Sequence, residues 1–381
     1  MSKTTPESDG GPVRVVGAGP GGLAAAITLA RAGRQVVVHE AHREVGYRFQ
    51  GDMQGLENWT SGEDVLVQFE RLGIAPAFAN LPCPTGTAFD SRGRRYAFRS
   101  RDPLFYVVER GPGPRTLDSA LLSQALALGV DVRFDHRLSK VDGPAILATG
   151  PHAADAIAVG YHFDTDMADG CWVICDDDLA PEGYAYLLVM HGRGTVKSCM
   201  FTGFKQESLY VTRTVEAFER LAGLRMSNPR AHGGVGNFRI PVSAYSGLRP
   251  TVGEQAGFQD TLWGFGMRYA IVSGVLAARS LLEGGDYDVL WRREFGDLQR
   301  SGVVNRALFA AFGNRGYSWL LRRQEKSADA RAFLSGFYRP TLARRLLHPW
   351  ATWRYRSRRH DASCDHLDCT CVWCRCAGEY A

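Results

Sequence analysis

Six residues, Gly17-Ala18-Gly19-Pro20-Gly21-Gly22, lie between a short apolar run, Val13 to Val16, and the alanine- and leucine-rich stretch Leu23 to Ala32. That order predicts a strand, a tight turn and a helix. Gly17 permits the turn, Gly19 lets the backbone approach a pyrophosphate, and Gly22 lets the helix pack closely on the strand. Phosphates then meet the helix N-terminus, where unpaired N–H groups and the helix dipole favour negative charge. Gly33 ends the helix and Gln35 to Val38 reads as a second strand. Glu40 stands at its end, ~20 residues past the glycines, where a carboxylate can accept both ribose hydroxyls. The same carboxylate would repel a ribose 2′-phosphate, which argues against NADP at this first site.

Two later stretches bear on which dinucleotide this is. Val141 to Gly150 ends in Ile146-Leu147-Ala148-Thr149-Gly150, similar to the strand and Ala-Thr-Gly turn of flavoproteins with this topology. Leu248 to Phe258 contains Gly253 and Glu254, and is followed by Gly264-Phe265-Gly266-Met267 and a long helical stretch, Arg268 to Leu282. This resembles the second flavin motif, in which an acid after glycine binds a ribityl hydroxyl and a helix N-terminus faces the isoalloxazine carbonyl. Glu254 stands where that motif has Asp.

On these residues the chain resembles the geranylgeranyl reductase family, within the larger group of flavoproteins that includes aromatic hydroxylases, halogenases and lycopene cyclases. The resemblance runs from about Val13 to Leu282. Pro181-Glu182-Gly183-Tyr184-Ala185-Tyr186-Leu187-Leu188-Val189 occupies the place of the family's Pro-x-x-Tyr-x-Trp-x-Phe-Pro segment, which lines a lipid cavity. Tyr184 matches, whereas Tyr186, Leu188 and Val189 replace Trp, Phe and Pro. The family's cysteine near the flavin has no counterpart between Gly46 and Trp59, and Asp260 to Met267 replaces its Asn-Pro-Leu-x-Gly-Glu-Gly-Ile.

The resemblance implies FAD held by Gly17, Gly19, Gly22, Glu40, Gly253, Glu254, Gly264, Gly266 and Met267. It implies a reductase that transfers hydride to a C=C bond or similar acceptor of a hydrophobic, isoprenoid-like substrate. Arg110 either reaches the flavin or is a surface cation near a turn. Tyr184, Tyr186 and Trp263 either line the substrate pocket or are core. Asp52, Glu57 and Asp260 are candidate proton donors only because they lie in flavin-adjacent motifs. A monooxygenase, a non-redox flavin-dependent cyclase and a non-catalytic flavin-binding partner remain alternatives. The halogenase Trp-x-Trp-x-Ile-Pro motif is missing, as is any lysine between Lys3 and Lys140. No second nucleotide-binding motif occurs, so electrons come from transiently bound NAD(P)H or a protein donor.

The expected fold is α/β: a Rossmann-like FAD-binding domain with an inserted antiparallel-sheet substrate domain and a helical C-terminal region. The FAD-binding blocks are residues 1–85, 111–160 and 246–285. Residues 86–110 and 161–245 form the substrate domain, 286–360 the helical region and 361–381 a Cys-rich tail. Within the 381 residues, 45% hydrophobic and 22% charged, a large core is available. A net charge of +5 without a nucleic-acid motif set argues against nucleic acid. The longest apolar run, Tyr269 to Ala278, is about half the ~20 residues of a spanning helix. With no apolar leader before Gly11, a cytoplasmic protein is expected. Arg339 to His360 is rich in arginine and tryptophan and has no acid, a composition suited to peripheral membrane contact, a solvated helical face or an oligomer contact. In the tail, Cys364, Cys369, Cys371, Cys374 and Cys376, with His366, could chelate zinc or an iron–sulfur cluster.

Overall fold

Val13–Val16, the first strand, pairs in parallel with Val36–His39 on one side and Ala145–Leu147 on the other. Asp131–Arg133 completes a four-stranded parallel sheet in the order 131–133, 36–39, 13–16, 145–147. Its central residues Val15, Val38 and Ile146 are wholly buried, as a sheet covered on both faces demands. The computed structural model describes residues 11–354 except Ser139, His152, Ala153 and Arg239. The tail cysteines Cys364, Cys369, Cys371, Cys374 and Cys376 therefore lie outside the described residues.

The helix Pro20–Arg31 opens with proline, whose missing N–H costs nothing at a helix start, and is buried on nearly every side from Gly21 to Leu29. A helix apolar all round needs cover all round. The second helix, Met267–Glu283, supplies it. The two backbones approach so closely that a Cβ on Gly274 would overlap the Gly21 carbonyl. Asp64 and Thr116 cap the helices Val65–Arg71 and Leu117–Ala127, accepting from Leu66 and Ser119 N–H respectively.

A seven-stranded sheet forms the second layer, in the order 227–236, 156–164, 193–200, 184–190, 170–175, 85–90, 95–99. It is antiparallel except where Gly170–Cys175 runs parallel to Thr85–Asp90, so the insert is mixed. Its strand Ala156–Asp164 also runs across the boundary expected at residue 161. Alternation along the strands sorts the sheet's faces. Ile174, Ala185, Leu187, Val189 and Val196 pack beneath a helix that sequence periodicity had not singled out, Glu207–Ala222. Tyr184, Tyr186, Leu188, Lys197 and Cys199 face the other way. Between the layers lies a small antiparallel sheet of Asp52–Glu57, Phe105–Arg110 and Asn80–Cys83.

The C-terminal region is helical, with Tyr287–Glu325, Ala330–Tyr338 and Leu342–Arg354. Gly313, at φ 53° and ψ −155°, breaks the first of these into two. Arg306 is fully buried in it and clamps the layers together. Its guanidinium donates to the carbonyls of Leu262, at 2.9 Å, and Glu182, and lies over the rings of Phe201 and Phe309.

Candidate flavin and substrate site

One cavity of about 880 Å³ runs between the parallel sheet and the seven-stranded sheet. At one end the wall is the glycine turn. Gly17 has φ 105°, and a Cβ there would overlap the Ala148 carbonyl; a Cβ on Gly22 would overlap the Gly17 carbonyl. Gly22 is thus a packing glycine and does not reach the cavity. Gly19 differs: its backbone is extended, and a Cβ would meet no described atom within 4 Å, only the cavity. Gly19 is also the N-cap of Pro20–Arg31 without a capping side chain, which leaves the first-turn N–H groups facing the space.

Glu40 borders the same end. Its carboxylate accepts from the Ala18 N–H at 2.7 Å and the His42 N–H at 3.0 Å, which orients it and leaves lone pairs for a ligand. The second motif joins the first through Thr149, whose N–H donates to Gln255 at 2.8 Å, and through Val252, whose N–H donates to Leu147 at 2.9 Å. Gly253, Glu254, Gly264, Gly266 and Met267 all line the cavity. Gly266 N-caps Met267–Glu283, again without a side-chain cap. Two uncapped helix N-termini therefore border one cavity. Burial raises the Glu254 carboxyl above its ordinary range, with Arg48 and Arg110 opposing.

Arg110 is buried, not a surface cation. It makes a two-pronged pair with Asp118, at 2.8 and 2.9 Å, lies 4.1 Å over the Phe49 ring, and contributes to the cavity wall.

Tyr184, Tyr186 and Trp263 line the apolar end. The Tyr184 hydroxyl donates to the Trp263 carbonyl, and the two rings meet edge to face at 5.4 Å. These residues are both core and wall, since Trp263 also packs on Phe309. The indole N–H of Trp263 has no partner among the described residues. Cys171, Cys175 and Cys199 supply thiols to the wall from the sheet, not from the segment after the second strand. Burial, above all other causes, pushes Cys175 up to about 12 and Cys199 up to about 11, so both stay protonated.

The three candidate proton donors separate. Glu57 is paired with Arg268 at 2.8 Å, and Asp260 accepts from the Tyr338 hydroxyl at 2.7 Å and the Trp263 N–H at 2.9 Å; neither lines the cavity. Asp52 does, and it is paired at 2.7 Å with Lys197, also in the wall. Sequence reading missed Lys197. A lysine in the run Thr195 to Phe201, which is otherwise uncharged, was the available signal.

The glycine turn, the acid after the second strand and the two helix N-termini define a dinucleotide-binding Rossmann-like site. The model of an NAD(P)-binding Rossmann-like domain matches residues 15–55. No curated protein matches the chain. Among solved structures, the chain is similar to a geranylgeranyl bacteriochlorophyll reductase-like protein from Thermoplasma acidophilum, with 17% identity and TM-score 0.69. That match covers 90% of this chain and 98% of that one. It is also similar to a flavin-dependent brominase triple mutant, with 12% identity, TM-score 0.59 and coverage of 90% and 98%. A flavin-dependent halogenase matches at 16% identity and TM-score 0.57, over 92% of this chain and 74% of that one. The fold is therefore the one shared by reductase-like, halogenase and monooxygenase flavoproteins.

Proposed function

We propose that this chain is an FAD-dependent oxidoreductase acting on a hydrophobic substrate, most simply as a reductase of a C=C bond or similar acceptor. The observation that carries the reading is the continuity of one cavity from the open face of Gly19 to the apolar wall at Tyr184 and Trp263. The residues present fit FAD: a Cβ at Gly19 would fill the cradle, and two helix N-termini offer unpaired N–H groups. Gly17 to Gly21 would hold the pyrophosphate, Glu40 the adenosine ribose, and Gly253, Glu254 and the Met267 helix start the remainder. Bound FAD, once reduced by NAD(P)H or a protein donor, would supply hydride to one acceptor carbon, with a proton from water completing the reduction at the other. The chain orients that acceptor with Tyr184, Tyr186 and Trp263 and excludes water with the apolar wall.

The test is direct. Purified protein should be yellow and release FAD on denaturation. After anaerobic reduction, a polyprenyl acceptor should reoxidise the flavin without oxygen. Reoxidation that needs air and is hastened by the lipid would make the enzyme a monooxygenase instead, and colourless protein that takes up no FAD would end the proposal.

A further inference from the structure

The floor of the cavity carries a polar cluster that the flavin reading leaves without a role. In the seven-stranded sheet His232, Gly160, Lys197 and Tyr186 stand in register across four adjacent strands. Directly paired residues share a face. Gly160 interposes no side chain, so Lys197 and His232 meet across it, with Nζ 2.8 Å from Nδ1. From the small sheet above, Asp52 reaches down to place its Oδ2 2.7 Å from the same Nζ. The side chains of Lys197 and Asp52 are 2% and 1% exposed, and that of His232 9%.

The partners set the histidine tautomer, and although burial lowers Lys197 from its ordinary value, the Asp52 carboxylate against it opposes that shift and favours the ammonium. His232 Nε2 lies 2.7 Å from the Arg48 carbonyl, which can only accept, so Nε2 carries the proton and Nδ1 accepts from lysine. Asp52 also accepts from Gln54 at 2.9 Å and from the Thr195 hydroxyl at 3.2 Å. Burial alone would raise Asp52, but the charge of Lys197 and the hydrogen bonds to the carboxyl together outweigh it and hold the carboxyl below its ordinary value. Burial, followed by Lys197, pushes His232 down to about 4, so the imidazole is neutral. An ammonium has three N–H donors. Two are used, by Asp52 and His232, and the third has no partner among the described residues.

We propose that Lys197 is the polar anchor of the substrate cavity, donating its third N–H to a neutral oxygen, carbonyl or hydroxyl, on an otherwise hydrophobic substrate. The charge balance selects neutrality: Asp52 already cancels the ammonium, so the cluster attracts an acceptor lone pair and not a second anion. Asp52 and His232 are positioning residues, which hold the ammonium in place on the strand next to that of Tyr186. This inference rests on the reading of the cavity as a hydrophobic substrate site and narrows the substrate to an oxygen-bearing one.

Three probes with one apolar body test it by equilibrium dialysis against the FAD-loaded protein: nonylbenzene, 4-nonylphenol and 4-nonylbenzoate. The phenol should bind on the order of 10- to 100-fold more tightly than the hydrocarbon, the value of a hydrogen bond to a charged group. Lys197→Met should erase that preference while leaving nonylbenzene affinity within about threefold. FAD content and melting temperature report folding, and where the single variant does not fold, the charge-balanced pair Asp52→Asn/Lys197→Met carries the same comparison. A phenol preference that survives loss of Lys197, or is lacking in the unaltered protein, overturns the inference alone. A Lys197-dependent preference for the benzoate over the phenol overturns the neutral-oxygen assignment. Failure of all three probes to bind overturns the hydrophobic-substrate reading with it.

Discussion

Gly19 and Gly22 sit three residues apart in one motif and do opposite things. A side chain at Gly22 would strike the Gly17 carbonyl, whereas one at Gly19 would enter only the cavity. Gly22→Ala should therefore cost folding stability, about 1–3 kcal/mol from overpacking against backbone. Gly19→Val should leave the apoprotein within about 1 kcal/mol, the scale of an N-cap change, and lose FAD. Denaturant melts of apoprotein together with flavin content after purification separate the two, and a Gly19→Val protein with full FAD would remove the basis of the site. Asp260 makes a pH prediction. Burial, partly offset by Tyr338 and the Trp263 N–H, raises its carboxyl to about 7 from an ordinary 3.8. Above pH ~4 the unfolded chain has released this proton while the folded chain still holds it. The stability it contributes is thus fully present below about pH 4 and is lost as pH rises to about 7, by a few kcal/mol at most. Asp260→Asn should flatten the slope in melting temperature across that window; an unchanged slope would show that the carboxyl ionises freely in the fold.

At the scale of elements, sequence was most informative where a local rule had one structural answer. The strand, glycine turn, helix and second strand from Val13 to His39 follow from spacing alone. The helix Glu207–Ala222 was hidden because it buries only a narrow stripe, Val211, Thr214, Ala217 and Phe218, within charged sequence between strands. The parallel pairing of Gly170–Cys175 with Thr85–Asp90 was equally hidden, since it joins segments some eighty residues apart and leaves no local mark. Gly313 carries no local mark that sets it apart from the other glycines of the helical region. Its φ and ψ fall in a region almost confined to glycine, and the segment beyond it brings Leu320, Leu321 and Gln324 to the cavity wall. Gly313→Ala should therefore destabilise by about 1–3 kcal/mol, read from chemical denaturation. A neutral result would mean the helix can run straight and that the bend is not needed to close the cavity.

At the scale of the molecule, what sequence could not reveal was convergence. Asp52, Lys197 and His232 are far apart in the chain, and only sheet register places them together, so no motif names them. The last described helix presents a surface whose composition was legible but whose geometry was not. The helix Leu342–Arg354 buries only Ala351, while Leu342, Leu346, Trp350 and Trp353 form one stripe that is largely exposed, Leu346 at 73% and Trp353 at 66%. Arg344, Arg345 and Arg354 flank it, and no acid occurs from Ala330 to Arg354. Among the described residues no helix is long and apolar enough to cross a membrane. A stripe of this kind suits the interface of an anionic bilayer, aromatic and leucine side chains among the acyl chains and arginines at the phosphates. Vesicles with about 30% phosphatidylserine should retain the protein in a sedimentation assay, with retention falling as salt rises. Leu346→Glu/Trp353→Glu, both at exposed positions, should weaken retention by roughly tenfold or more without changing FAD content or melting temperature. Equal retention of the double variant, or equal binding to neutral vesicles, would mean that this stripe faces a protein partner or solvent instead.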